Sequence, residues 1–159
     1  MVTIAIVAIL SAIALPSFSS ALQSNGLATT SNEFIATLAF ARSEAMRNNR
    51  GAVVCPSVDG SVCGGDWHDG WIVWGDLNAD GVRQTAPPNE EPVLRRQSAL
   101  TRQIATGSVR IVFTPRGSVS VGTGTVILRS VGCSAGQPFR RDIEVLGGGN
   151  LRVSKVNCV

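Results

Sequence analysis

The chain has 159 residues, 44% of them hydrophobic and 16% charged, so it is long and apolar enough to bury one core and is not disordered. It has no tyrosine and one histidine, His68. Any Ser-His-Asp, Cys-His or histidine-based metal site would depend on that residue alone, which argues against an enzyme. The net charge is +3, but residues 1–94 carry −5 and residues 95–159 carry +8. The basic half indicates either an anionic partner or a complement to the chain's own acidic half.

The chain begins with an apolar segment. Residues 1–32 carry no charged side chain, and residues 1–15 are apolar except for Thr3 and Ser11. A membrane span needs about 20 apolar residues, and a cleaved signal peptide begins with basic residues, which are not seen here. The segment therefore fits either an N-terminally trimmed chain or a retained membrane anchor, and a buried helix of a soluble protein is the third interpretation.

Helical periodicity continues beyond the apolar segment. Apolar and small residues recur at spacings of three and four, and residues 48–51 form a helix stop signal. We therefore predict one helix of about 45 residues, about 70 Å long. Its first half is apolar all round and its second half is apolar on one face. The stripe on that face consists of Leu27, Ser31, Phe34, Leu38, Ala41 and Ala45.

The rest of the chain is typical of β structure. Glycine, serine, threonine and valine dominate after Gly51, and turn residues separate short strands. The fold class is therefore α+β, with a hydrophobic transmembrane helix over residues 1–22, its amphipathic half over 23–50 and a β-rich head over 51–159. The predicted strands are Gly51–Pro56, Gly70–Trp74, Glu91–Gln97, Ile104–Ala105, Arg110–Thr114, Ser118–Val121, Thr125–Leu128, Arg141–Val145 and Asn150–Val156.

Four cysteines allow three disulfide pairings. The sequence favours Cys55–Cys63, which closes a short loop, and Cys133–Cys158, which ties the last strand to an earlier loop. A zinc site is the alternative, but no two cysteines have the C-x₂₋₄-C spacing typical of such sites. Two disulfides imply an oxidising compartment outside the cytoplasm.

Several stretches resemble one known family. Residues 1–18 resemble the retained N-terminal helix of type IV pilins. Residues 34–45, FIATLAFARSEA, are similar to the F-x-x-x-L-x-x-A-R-S-E-A signature of the GspH/FimT/FimU minor pilins. Residues 67–81, WHDGWIVWGDLNADG, and residues 113–117, FTPRG, resemble that family's hairpin and its F-x-P-x-G turn, in the same order.

The resemblance implies the type IV pilin fold, in which the long helix packs on an antiparallel β-sheet head. It implies a minor pilin that helps to initiate pilus assembly at the fibre tip, with N-terminal processing and methylation. Such a protein lies in the inner membrane of a Gram-negative bacterium, with its head in the periplasm, and later in the extracellular fibre. A minor pseudopilin of a type II secretion system is the alternative. The expected partners are other minor and major pilins and the inner membrane, with no cofactor and no small-molecule substrate.

The resemblance also assigns residues to assembly. The helix would join the head and neighbouring subunits through Phe34, Leu38, Arg42 and Glu44, although local ion pairing on a solvated face is the alternative for the two charged residues. The residues expected in the pilus core are Ile4, Ile6, Val7, Ile9, Leu10, Ile13, Leu15 and Pro16.

One motif is a calcium candidate. Asp76, Asn78 and Asp80, followed by Gly81, match the first half of an EF-hand loop, in which oxygens at alternating positions face one cation. The twelfth position, normally glutamate, is Pro87. The alternative, which the resemblance favours, is a tight β turn capped by the Asx side chains.

A basic cluster supports a second function. Arg140, Arg141, Arg152 and Lys155 lie on the last two predicted strands, and Arg141 would face Arg152 if these strands form a hairpin. Such a patch would hold phosphates without reading sequence. Some FimT-type minor pilins bind DNA for natural transformation through a C-terminal G-R-x-R-type motif, and the matching stretch here is GGNLRVSKVNC. A DNA-binding minor pilin is therefore an alternative, beside a solubilising face or a contact with another pilin.

Overall fold

The computed structural model describes residues 2–159, and for residues 2–17 it describes the helical backbone alone. Helix α1 runs from Val2 to Asn48, which confirms the predicted single long helix. The side chains of the predicted pilus-core set, Ile4 to Pro16, lie outside the described residues. In the part of the chain that the structure describes, no helical stretch is both long and apolar enough to span a membrane.

Helix α1 ends in a hydrogen-bonded cap at the predicted stop signal. Asn49 adopts a left-handed conformation with φ of 50°, and its N–H donates to the Met46 carbonyl at 3.4 Å. The N–H of Arg50 donates to the Ala45 carbonyl at 3.2 Å. This pair of bonds is a Schellman motif, which satisfies the last helical carbonyls and turns the chain into the first strand.

The head contains nine antiparallel strands in two sheets, where the sequence predicted one β head. Sheet A has the order β3-β2-β1-β5-β6, and sheet B has the order β4-β7-β8-β9. All nine predicted strands are present with ends that differ by at most two residues, and a short 3₁₀ helix at Trp67–Asp69 was not predicted. The strands are β1 Gly51–Pro56, β2 Trp71–Asp76, β3 Val93–Gln97, β4 Gln103–Thr106, β5 Ile111–Phe113, β6 Val119–Val121, β7 Gly124–Ser130, β8 Arg140–Val145 and β9 Leu151–Val156.

The main core lies between α1 and the inner faces of both sheets. Helix α1 contacts β1, β2 and β5 of sheet A and β7 and β8 of sheet B. The predicted stripe from Leu27 to Ala45 is the buried face of the helix, with each of its members at most 4% exposed. Because the strands alternate, every second residue of the inner strands also enters this core. Burial of this stripe therefore attaches the helix to the head.

Sheet A also buries its outer face. Val53, Cys55, Ile72, Trp74 and Val112 form a second apolar cluster there. The Cys55 side chain belongs to this cluster and is bonded to Cys63, so the disulfide draws the following loop back over the sheet. Burial on both faces explains why β1 lacks the alternation of a half-exposed strand.

Candidate assembly interface

The buried face of α1 carries the aromatic centre of the core. Phe34 meets the rings of Trp67 and Trp71 edge-on, with ring centroids 5.1 and 5.2 Å apart. One turn later, the Thr37 hydroxyl accepts a hydrogen bond from Trp71 Nε1 at 3.2 Å. Leu38 is buried in the same cluster. Phe34 and Leu38 therefore lie where the helix joins the head.

Arg42 connects the helix to the turn between β8 and β9. Its Nη1 donates to the Gly149 carbonyl at 3.0 Å, and its Nη2 donates to the Gly148 carbonyl at 3.1 Å. Asn150 Oδ1 accepts a weaker bond at 3.4 Å. A planar guanidinium presents several donors in a fixed arrangement, so one side chain satisfies two successive carbonyls of the turn. Arg42 therefore makes these hydrogen bonds within the subunit, between α1 and the β8–β9 turn.

Glu44 makes local contacts, as the alternative interpretation holds. It accepts hydrogen bonds from Arg47 at 2.7 Å and from Asn48 at 3.0 Å, both on its own helix. The bond and the charge of Glu44 raise the pKa of the Arg47 guanidinium. Because Arg47 is exposed to solvent, this pair contributes little to stability.

Two glycines allow the β8–β9 turn to approach the β5–β6 turn closely. Gly149 has φ of +77°, and a Cβ there would collide with the Gly117 carbonyl. Gly117 has φ of +75° and lies against Arg42 and Met46. The N–H of Val119 donates to the Gly147 carbonyl at 2.8 Å, which joins sheet A to sheet B. The A-R-S-E-A helix segment, the F-x-P-x-G turn and the glycine turn thus meet at one place.

The calcium candidate forms the loop that follows β2. Asp76 Oδ2 accepts a bond from the Gly81 N–H at 3.0 Å, and Asn78 Oδ1 accepts one from the Asp80 N–H at 3.1 Å. Asp80 Oδ1 accepts a bond from the Val82 N–H at 2.7 Å, which lowers the pKa of that carboxyl. These are the bonds expected of a turn capped by Asx side chains.

The same loop depends on a carboxylate that the sequence analysis did not assign. Glu91 is buried, and its two oxygens accept bonds from the N–H groups of Leu77 at 2.6 Å and Gln84 at 3.0 Å. Residues just before β3 lie beside those just after β2, because the two strands are antiparallel neighbours. That pairing is the signal that would have pointed to Glu91.

One cluster among the described residues brings three metal-ligand atoms together. These atoms, on Asp66, His68 and Asp69, lie within 4.8 Å of one another. The side chains are partly or fully exposed, and Asp69 Oδ2 already accepts a bond from the Asp66 N–H at 2.9 Å. Asp76 and Asp80 belong to no such group in the described part of the chain. Calcium binding in the loop therefore stays a prediction.

Acidic neighbours pair with two members of the predicted basic patch. Asp142 accepts bonds from Arg140 Nε at 2.7 Å and from Arg140 Nη2 at 2.8 Å. This bidentate pairing raises the pKa of Arg140. Arg152 lies opposite Glu144 on the neighbouring strand, with 3.8 Å between the charged atoms. The outer face of sheet B therefore mixes both signs of charge.

The predicted opposition of Arg141 and Arg152 is wrong. The register pairs Arg141 with Lys155 and Arg152 with Glu144. Arg141 is buried and donates to the carbonyls of Pro138 at 3.3 Å and Arg140 at 2.9 Å. The turn between the strands sets this register, so Arg141 and Arg152 lie on opposite faces of the sheet.

Both favoured disulfides are formed. Cys55–Cys63 closes a loop with a sequence separation of 8, and Cys133–Cys158 has a separation of 25. The second bond holds the residues after β9 against the loop between β7 and β8. The structure therefore confirms both pairings.

A family model decides the relationship. The model for type II transport protein GspH matches residues 30–149, which is most of the head and the later part of α1. The chain belongs to the GspH family. Members of this pilin-type family are structural components of pili and pseudopili of Gram-negative bacteria, and they are anchored in the inner membrane. Comparison with curated proteins gives no significant match.

Solved structures share the fold. Two crystal forms of the type IV minor pilin FimU of Pseudomonas aeruginosa match with TM-scores of 0.58 and 0.56 and 19% identity. The first covers 79% of this chain and 90% of FimU, and the second covers 82% and 89%. The minor pseudopilin EpsH of the Vibrio cholerae type 2 secretion system matches at a TM-score of 0.47 and 12% identity, covering 80% of this chain and 94% of EpsH. The FimU matches show the type IV pilin fold.

Proposed function

We propose that this GspH-family chain is a minor pilin of a type IV pilus that helps to initiate assembly at the fibre tip. The observation that carries the proposal is the division of α1. Its later part buries one face in the head, beginning at Leu27, whereas Phe18 and Leu22 are 65% and 48% exposed. The apolar, uncharged sequence of residues 1–15 precedes this exposed part. Lipid before assembly and other pilin helices afterwards would keep that surface out of water.

The same division supports a location and a set of partners. The apolar segment would hold the chain in the inner membrane, with the head in the periplasm, until it enters the extracellular fibre. Two disulfides are compatible with that oxidising compartment. The partners are then other minor and major pilins, which would pack along the segment before Leu27.

Deleting the gene in its native host separates the three candidate functions. The proposal expects surface pili, counted by electron microscopy, to be lost, while secretion through a type II system stays normal. Loss of secretion with normal pili would instead identify a pseudopilin. Loss of transformation alone, with normal pili, would identify a DNA-uptake protein.

A variant within the apolar segment tests the role of the helix. Leu10→Asp should fail to restore pili, because a carboxylate in a membrane or apolar bundle costs about 2.5–3.5 kcal/mol. Val109→Asp, at a highly exposed position of the head, is the matched control and should restore them. Normal pili with L10D would contradict the proposed packing.

The DNA-binding alternative has less support. Arg140 and Arg152 have acidic partners, and Arg141 is buried. Titration of the full chain in detergent with short double-stranded DNA at two salt concentrations tests it. Salt-dependent binding that is lost in an Arg152→Gln, Lys155→Gln double variant would favour this alternative.

A further inference from the structure

Strand β9 leaves one edge of sheet B open. It is the last strand in that sheet, so no strand of the described residues pairs with its outer side. The hydrogen bond from the Leu146 N–H to the Asn150 carbonyl sets the phase of the β8–β9 ladder. In an antiparallel pair, bonded and non-bonded positions alternate, so Leu151, Val153 and Lys155 direct their main-chain groups away from β8.

The other sheet edges are less suited to pairing. Strand β3 has five residues and β6 has three, and both pair with an irregular register. Strand β4 has four residues and contacts the 3₁₀ helix. Irregular and covered edges resist the addition of a strand. By contrast, β9 pairs regularly with β8 over all six of its residues.

The core-facing side of β9 is partly exposed, and a groove lies at its start. Val153 is 44% exposed, although its partner on β8, Ile143, is fully buried on the same face of the sheet. A groove of about 470 Å³ lies at the start of this strand, where Leu151 lines it together with apolar Leu38, Ala39 and Phe113 and polar Arg42 and Asn150. A strand added to β9 would place one side chain at that groove, beside Leu151, and further side chains of the same face over exposed Val153.

The charges of β9 discriminate between partners. Arg152 and Lys155 are exposed, and the side chain of Arg152 is 72% accessible despite its contact with Glu144. Two β9 strands paired with each other would bring these like charges together, which disfavours a second copy of this chain. A strand with acidic side chains would be attracted instead.

We propose that β9 is a docking strand for an extended segment of another pilin subunit, with apolar residues beside Leu151 and Val153 and acidic residues near Arg152 on the outer face and Lys155 on the core-facing side. Main-chain bonds at an open edge supply affinity, and the alternate side chains supply specificity. This inference rests on the proposed assembly function and names the surface through which the head would take part in it.

Photo-crosslinking in the native host tests this docking strand. The full chain carries a photoreactive phenylalanine analogue at position 153, or at the exposed position 58 as the control, and crosslinked peptides are identified by mass spectrometry. In a parallel variant, Val153→Pro, the analogue is placed at position 155 instead. The proline removes an outward N–H of β9 and leaves the bonded positions of the β8–β9 ladder intact. An Arg152→Glu, Lys155→Glu double variant tests charge without changing the backbone. Thermal unfolding of each purified variant shows whether the head still folds.

The expected result is a crosslink from position 153 to an acidic, extended segment of another pilin, with none from position 58. Folded V153P or the charge-reversed chain should lower the crosslinked fraction about tenfold, because one or two main-chain or charge-assisted bonds are lost. Crosslinking to DNA, to a second copy of this chain or to no pilin would overturn the inference. If deletion reduces pili and folded V153P restores them fully, the docking strand is wrong and the assembly function stands. If deletion leaves pili normal, the assembly function fails. The identity of the crosslinked segment alone then decides whether β9 is a docking strand.

Discussion

At the scale of single residues, Arg42 shows how one side chain joins separate parts of the sequence. It lies on α1, but its hydrogen bonds end on Gly148 and Gly149, more than 100 positions later. The turn that contains Gly117 also lies against it. The motif that carries Arg42 therefore has a physical role within the subunit, since it sets where the β8–β9 hairpin rests on the helix.

We expect Arg42→Ala to lower the free energy of unfolding by about 1.5 kcal/mol, because a charge-assisted bond is worth about 1.5–3 kcal/mol and partial exposure weakens it. Urea unfolding of the purified chain measures the change. Arg47→Ala is the control and should leave stability unchanged, since Arg47 is exposed. If Arg42→Lys is as stable as the wild type, charge alone accounts for the effect and the planar geometry is not needed.

Gly149 provides a second test at this scale. Gly149→Ala combines an unfavourable positive φ with a collision against the Gly117 carbonyl, so we expect it to cost about 3 kcal/mol or to prevent folding. Gly132 has a similar φ of +74° with no atom within 4 Å of an added Cβ. Gly132→Ala should therefore cost only the backbone penalty, about 1 kcal/mol. Equal losses in the two variants would show that the close approach of the turns is unimportant.

At the scale of elements, the helix and the head are joined by aromatic packing. The ring of Phe34 packs edge-on against Trp67 and Trp71, which belong to the 3₁₀ helix and β2. A single helical residue therefore stabilises two elements of the head. Spacing predicted that Phe34 would face the head, but the identity of its neighbours depends on the path of the chain between β1 and β2.

Removing the Phe34 ring should destabilise the head. Phe34→Ala is expected to lower the free energy of unfolding by about 3–5 kcal/mol, because it leaves a large cavity in the core. Phe18→Ala, at an exposed position before the head, should leave the unfolding of the head unchanged. Chemical unfolding followed by tryptophan fluorescence reports both. A small loss with F34A would mean that the core closes around the missing ring.

At the scale of the whole molecule, the two disulfides constrain segments of different length. On the chain-entropy model, removing Cys133–Cys158 should cost about 3.5 kcal/mol and removing Cys55–Cys63 about 2.5 kcal/mol. Urea unfolding of the two double-alanine variants measures both losses, and reducing the wild type should reproduce their combined effect. The reverse order would indicate that burial of Cys55 on the outer face of sheet A outweighs the entropy of its short loop.

The sequence by itself determined the length and end of α1, the stripe of the helix that is buried, all nine strands and the family, and it favoured the two disulfide pairings that the structure then settled. These features follow from local patterns: helical periodicity, turn residues between strands, and cysteines close enough in sequence to pair. Tertiary structure alone decided the division into two sheets, the register that puts Arg141 and Arg152 on opposite faces, the partners of Arg42 and the capping role of Glu91. Each of these depends on contacts between residues far apart in the chain, where the pairing of strands determines which side chains meet.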